Sequence, residues 1–91
     1  MTVKLNGTIR IPVNQQAKML PLMEDHIAAT LKEVGNMSFA ITQDATDPEI
    51  FHVSEEFVDQ GAFDFHQKRG GASPWGIESK ELKRDFKISR D

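Results

Sequence analysis

From Val3 to Ile11 apolar and polar side chains alternate, with Val3, Leu5, Gly7, Ile9 and Ile11 on one side and Lys4, Asn6, Thr8 and Arg10 on the other. A period of two is that of a half-buried strand, and Pro12, which has no N–H for a ladder, closes it. Gly7 stands where a side chain should pack, so it marks a bulge or a close approach by another group. The period then changes. Leu20, Met23, Ile27, Leu31 and Val34 recur at spacings of three and four, the apolar stripe of a helix. Asn14 is its expected N-cap and Gly35-Asn36 its stop. Pro21 costs one hydrogen bond inside it, so a single long helix with a bend is expected.

Met37 to Gln43 predicts a second strand with Met37, Phe39 and Ile41 on one face. The segment Asp44-Ala45-Thr46-Asp47-Pro48 has turn chemistry and predicts a hairpin into a third strand from about Ile50 to Val58. Phe51, Val53, Glu55 and Phe57 share one face of that strand, so a carboxylate falls in line with the core. Asp59 is placed to cap a short helix carrying Ala62, Phe63, Phe65 and His66. Gly70 and Gly71 then make a flexible joint, and Ser73-Pro74 opens a turn holding Trp75, with a capping hydroxyl before a first-turn proline. Leu82, Arg84, Phe86 and Ile88 alternate as a fourth strand, with Arg84 on the apolar side. The order strand, helix, strand, strand, helix, strand is that of an α+β, ferredoxin-like (βαββαβ) antiparallel sheet with helices on one face. Its other face then needs cover, which a second copy of the chain would supply.

Composition narrows the function. The 91 residues make one domain, 1–91, with a modest core that association would help complete, so a homodimer is expected. A net charge of −3 argues against nucleic acid as a partner, and the basic residues near the C-terminus alternate with acids. With no cysteine there is no disulfide, thiolate metal site or cysteine nucleophile. No run reaches signal-peptide or membrane-spanning character, so no membrane partner is expected and the cytoplasm is the expected compartment. His26, His52 and His66 share no ligand spacing, and no metal is expected.

Phe51-His52-Val53-Ser54-Glu55-Glu56-Phe57-Val58-Asp59, then Ala62-Phe63 and His66, resembles the signature of the antibiotic biosynthesis monooxygenase family. Gly-x-Ile-x-Ile-Pro at Gly7 to Pro12, Gly35 leading to Phe39, and Asp47-Pro48 before the third strand fit the same pattern. Ser73-x-Trp75 is similar to the subset taken for quinol monooxygenases. The resemblance implies a dimeric α+β barrel with a pocket between sheet and helices in each subunit. It implies oxidation of a quinol or similar phenolic substrate by dioxygen with no cofactor, the protein supplying a base, a shaped pocket and exclusion of water. Other relatives degrade haem or isomerise small phosphorylated sugar-like signals.

His66 is the leading catalytic candidate, a base of near-neutral pKa against the alternative of a histidine satisfied by a backbone carbonyl. Glu55 is the second. Buried, it needs a partner, either Arg84 or His66, and a structural ion pair is the plainer alternative to orienting His66. Phe57, Phe63, Phe65 and Trp75 are candidate walls of an aromatic substrate pocket, with Arg84 also facing substrate, although aromatics at such spacing also serve as plain core. Asn6 holds the polar side of the first strand, where a haem-degrading relative has a pocket residue. His26 is expected at the surface or rim, and His52 is expected to meet a partner sheet. One departure matters: haem-degrading relatives carry a tryptophan where this chain has Phe57, which counts against haem degradation. The chain also lacks tyrosine. A proton-shuttling isomerase using Glu55 and His66, and a ligand-binding or stress-associated protein without catalysis, remain alternatives, although no obvious basic cluster awaits a phosphate.

Overall fold

In the computed structural model, which describes residues 1–91, the alternating first segment is strand β1, Val3–Arg10. Helix α1 follows at Val13–Leu31, then the hairpin of β2, Asn36–Gln43, and β3, Ile50–Phe57. Helices α2, Gln60–Ala72, and α3, Pro74–Glu78, lead into β4, Arg84–Arg90. The sheet order is β2-β3-β1-β4 with every neighbouring pair antiparallel, the ferredoxin-like arrangement expected.

The inward residues of β1 and β3, Val3, Leu5, Ile9, Phe51, Val53 and Phe57, form the floor of one apolar core. Met19 and Met23 of α1, Phe63 of α2 and Trp75 of α3 pack onto it. Each such side chain contributes on the order of 1.5–3 kcal/mol by leaving water. The opposite face of the sheet is solvent-facing and polar, with Asn6, Thr42, His52, Ser54 and Lys87 exposed.

Gly7 turns out to mark a close approach rather than a bulge. It pairs with Phe86 of β4, and a Cβ there would collide with the Asp85 carbonyl and Phe86. Asn14 does not cap α1. The helix begins two residues after Ile11, and Pro12 at its N-cap position offers no side chain for the task. The free Val13 N–H donates instead to Glu49 Oε2 at 3.0 Å, from the strand hairpin. The helix runs through Pro21 as one element.

The buried stripe of α1 is also rotated from the expected one. Met19, Met23, His26 and Thr30 are inside, whereas Leu31 and Val34 are exposed. Met37 lies in a register irregularity of β2 and is exposed, because the extra residue breaks the alternation. Asp59 does cap α2, accepting from Ala62 N–H at 2.8 Å. Gly70 and Gly71 are helical, the last turn of α2 rather than a joint. Ser73 closes α2 and opens α3, its hydroxyl accepting from Gly76 N–H at 3.1 Å. Leu82 precedes β4 instead of belonging to it.

Candidate active site

Between the sheet and the helices lies a cavity of about 360 Å³. Its sheet side is Ile9, Phe39, Ile41, Val53 and Glu55; His26, His66 and Trp75 face them from the helices. Gln67, Lys80, Arg84 and Phe86 also line it.

Strand alternation brings Glu55 inward: it follows Phe51 and Val53 on the core face of β3, paired with Leu5 on one side and Phe39 on the other. Only 7% of it is exposed, and its Oε1 has no hydrogen-bond partner. Burial, reinforced by the negative charge of Glu33, pushes its pKa up to about 7. The nearest basic nitrogen is Nε2 of His66 at 3.6 Å, beyond a direct hydrogen bond.

His66 reaches this point from the second turn of α2 and is 3% exposed. Its Nδ1 lies 3.1 Å from Oε1 of Glu33, two residues beyond the end of α1. A carboxylate in that position accepts from Nδ1–H, which leaves the Nε2 lone pair directed toward Glu55 and the cavity. Glu33 is itself held by Arg69 Nε, and Arg69 Nη2 donates to Thr30 Oγ1 at 3.0 Å. Thr30 Oγ1 in turn donates to the His26 carbonyl at 2.8 Å. Burial draws the His66 pKa down against the opposing pull of Glu33, so the imidazole is held neutral in a fixed orientation. Phe57 lies against the ring at a centroid distance of 4.9 Å, and Phe63 backs Phe57 at 5.6 Å.

His26 stacks on Trp75, with centroids 6.2 Å apart, and meets Phe39 edge-on. It is buried, not at the rim, and its Nδ1 has no partner. Burial, then the neighbouring His66, Arg69 and Arg84, lower its pKa to about 4. Gly70 makes room for it, since a Cβ there would lie 3.1 Å from its ring.

Of the residues singled out from the sequence, His66, Glu55, Trp75 and Arg84 meet at the cavity. Arg84 does not pair with Glu55; it donates to the carbonyls of Ser79 and Leu82 and to the Ser79 hydroxyl. Phe57 and Phe63 support His66 from behind rather than lining the cavity, and Phe65 is 61% exposed on the outer side of α2. Asn6 is exposed on the far face of the sheet, because the alternation that turns Leu5 inward turns it outward. His52 is exposed there too, bonded through Nε2 to Asp44 Oδ1 at 2.7 Å. Glu33, Arg69, Thr30 and His26 were missed. Their signal was a stripe at helical spacing, Met19, Met23, His26, Thr30, Glu33, in which the last three positions are polar. Arg69 sits three residues beyond His66, one turn along the same helix face. No group of three or more His, Asp and Glu side chains converges in a way that could hold a metal ion.

Fold and cavity together define a small ferredoxin-like α+β protein with a pocket lined by His26, Glu55 and His66 between sheet and helices. The chain belongs to the antibiotic biosynthesis monooxygenase family, whose model matches residues 2–73. Solved structures share the whole fold. A Nitrosomonas europaea protein, provisionally described as an antibiotic biosynthesis monooxygenase, superposes with a TM-score of 0.84 at 19% identity, covering 100% of this chain and 98% of that one. A conserved protein from Methanosarcina mazei Go1 gives 0.81 at 22% identity, covering 100% and 93%. One from Bacteroides thetaiotaomicron, provisionally described as an oxidoreductase, gives 0.82 at 18% identity, covering 97% and 95%. Among curated proteins none matches the chain. Identities this low carry the fold and nothing about substrate.

Proposed function

We propose that the protein is a cofactor-independent monooxygenase that oxidises a quinol or similar small phenolic compound with dioxygen, with His66 as base. The observation that carries this reading is the His66 imidazole. Its Nδ1 is fixed by buried Glu33, and its free Nε2 faces the cavity beside a partnerless oxygen of Glu55. A phenolic hydroxyl placed there gives its proton to Nε2, and the electron-rich phenolate reacts with dioxygen. One oxygen atom bonds to ring carbon and the other leaves as water, so a quinol and dioxygen give a hydroxyquinone and water. Glu55, with a pKa near neutrality, is placed to hold or return a proton during that sequence.

The aromatic rings of Phe39, Phe86 and Trp75 suit a flat substrate, which would displace water from the cavity as it binds. The same reading includes a homodimer, in which a second sheet would cover the exposed outer face of this one, and the cytoplasm as the compartment. No helix is long and apolar enough to cross a membrane. The test is substrate-dependent oxygen uptake by chelator-treated protein. His66→Ala should lower turnover by a factor of about 10²–10⁴; uptake unaffected by that change would remove His66 from the reaction.

A second reading is favoured by the proximity of Glu55 and His66, since two proton carriers 3.6 Å apart also suit an isomerase. Turnover under strict anaerobiosis would select it.

A further inference from the structure

The protein carries a net charge of −3, yet the charges fixed around its cavity are positive. Five titratable groups face it: His26 from α1, Glu55 from β3, His66 from α2, Lys80 from the segment after α3, and Arg84 from β4. Both histidines are held neutral by burial, and Glu55 is raised toward neutrality. Lys80 and Arg84 are the two basic side chains of the cavity, and neither has an acidic side chain within 4.0 Å, in contrast with Lys4, Arg10, Lys18 and Arg69.

The way Arg84 is held is informative. A guanidinium has five N–H donors. Nη1 donates to the Ser79 carbonyl at 2.7 Å and to the Leu82 carbonyl at 3.2 Å, and Nη2 donates to Ser79 Oγ at 2.7 Å. The end of the fork therefore grips Ser79, which is fully buried. What remains are Nε–H and one Nη2 hydrogen, the two donors that lie parallel along one side of the group. That side matches the two oxygens of a carboxylate. Three neutral acceptors fix the guanidinium in place without neutralising it, so little rotamer freedom is left to lose when an anion arrives.

We infer that the substrate is an aromatic compound that carries a carboxylate, with Arg84 taking the carboxylate through its free Nε/Nη2 edge, Lys80 adding its charge, and the ring reaching in toward Trp75 and His66. This rests on the monooxygenase reading for the chemistry of the ring, but the anion site is defined by its own geometry. It makes Arg84 a specificity-determining residue that takes no part in proton transfer.

Binding without turnover tests it. Calorimetric titration of the intact protein under strict exclusion of air compares 1-hydroxy-2-naphthoate with 1-naphthol, the same ring system with and without the carboxylate. The acid should bind about tenfold or more tightly than the naphthol, the difference a charge-assisted pair confers. Arg84→Gln should erase that preference, Arg84→Lys should keep part of it, and Lys80→Gln should reduce it. Lys80 is exposed and makes no hydrogen bond, so its variant should fold even if Arg84→Gln does not. In wild-type protein the preference should also shrink several-fold between low and high salt. Equal binding of the two compounds, or a preference that survives Arg84→Gln or ignores salt, would overturn the assignment. These titrations do not consume oxygen, so a failed monooxygenase assay leaves them standing, and the converse also holds.

Discussion

Glu55 concentrates the conflict between stability and chemistry in this molecule. Its folded pKa is about 7 against 4.5 for the free group. Below pH 4.5 the carboxyl is neutral whether folded or unfolded, and nothing is lost. As pH rises from 4.5 to 7, the unfolded chain releases the proton while the folded one retains it, so stability falls across that window. A shift of that size corresponds to roughly 3 kcal/mol. Glu55→Gln should therefore stabilise the protein at pH 8 and have little effect at pH 4.5, as read by urea denaturation at both values, while lowering turnover. A variant whose gain over wild type is no larger at pH 8 than at pH 4.5 would show that Glu55 is solvated or paired. His26 has the opposite sign. With a folded pKa near 4 against 6.5, it costs stability as pH falls from 6.5 to 4, because only the unfolded chain then takes up a proton. His26→Phe should flatten that acid limb whatever constant offset the larger ring adds.

At the same scale, strand alternation alone placed Glu55 inside, since a period of two leaves no choice of face. His26 was misjudged because it follows Glu24 and Asp25, both exposed, and one residue of helix turns the side chain 100° to the core. Glu33 could not be assigned a role from local sequence, because its partners His66 and Arg69 lie more than thirty residues away.

At the level of elements, the helix ends separate what is local from what is not. Asp59 and Ser73 were legible as caps because each bonds to an N–H three residues on. The cap of α1 was not, because Glu49 supplies it from across the fold while also pairing with Arg10 at 2.9 Å. Gly70 and Gly71 suggest a joint from sequence, yet both are helical, and the close contact at the α2–α3 corner is made at Gly76. Gly76 rests against the Gly70 carbonyl and the Gly71 Cα, whereas a side chain at Gly71 would meet nothing. Gly71→Ala should thus raise stability by about 0.5–1 kcal/mol through helix propensity. Gly76→Ala should lower it by about 1–3 kcal/mol, since rigid backbone must move. Thermal or urea melts of the two variants check the contrast, and equal effects would mean that the corner is loosely packed.

For the molecule as a whole, the order of periods along the chain fixed the ferredoxin-like sheet, and the family pattern agreed with it. The cavity's polar network was less legible, because it joins the end of α1, the middle of β3 and one face of α2. The exposed outer face of the sheet leads to the expectation of a homodimer. Light scattering across a dilution series should return twice the mass of the chain, and a monomer at every concentration would leave that face to water. The central claim is oxygen chemistry at His66 without a cofactor. It is tested most directly by recording oxygen uptake with chelator-treated protein and a panel of reduced quinols and naphthols, boiled protein serving as control. Uptake above autoxidation for at least one compound, lost in His66→Ala, is the expected result; a trace no steeper than the boiled control across the whole panel would contradict it.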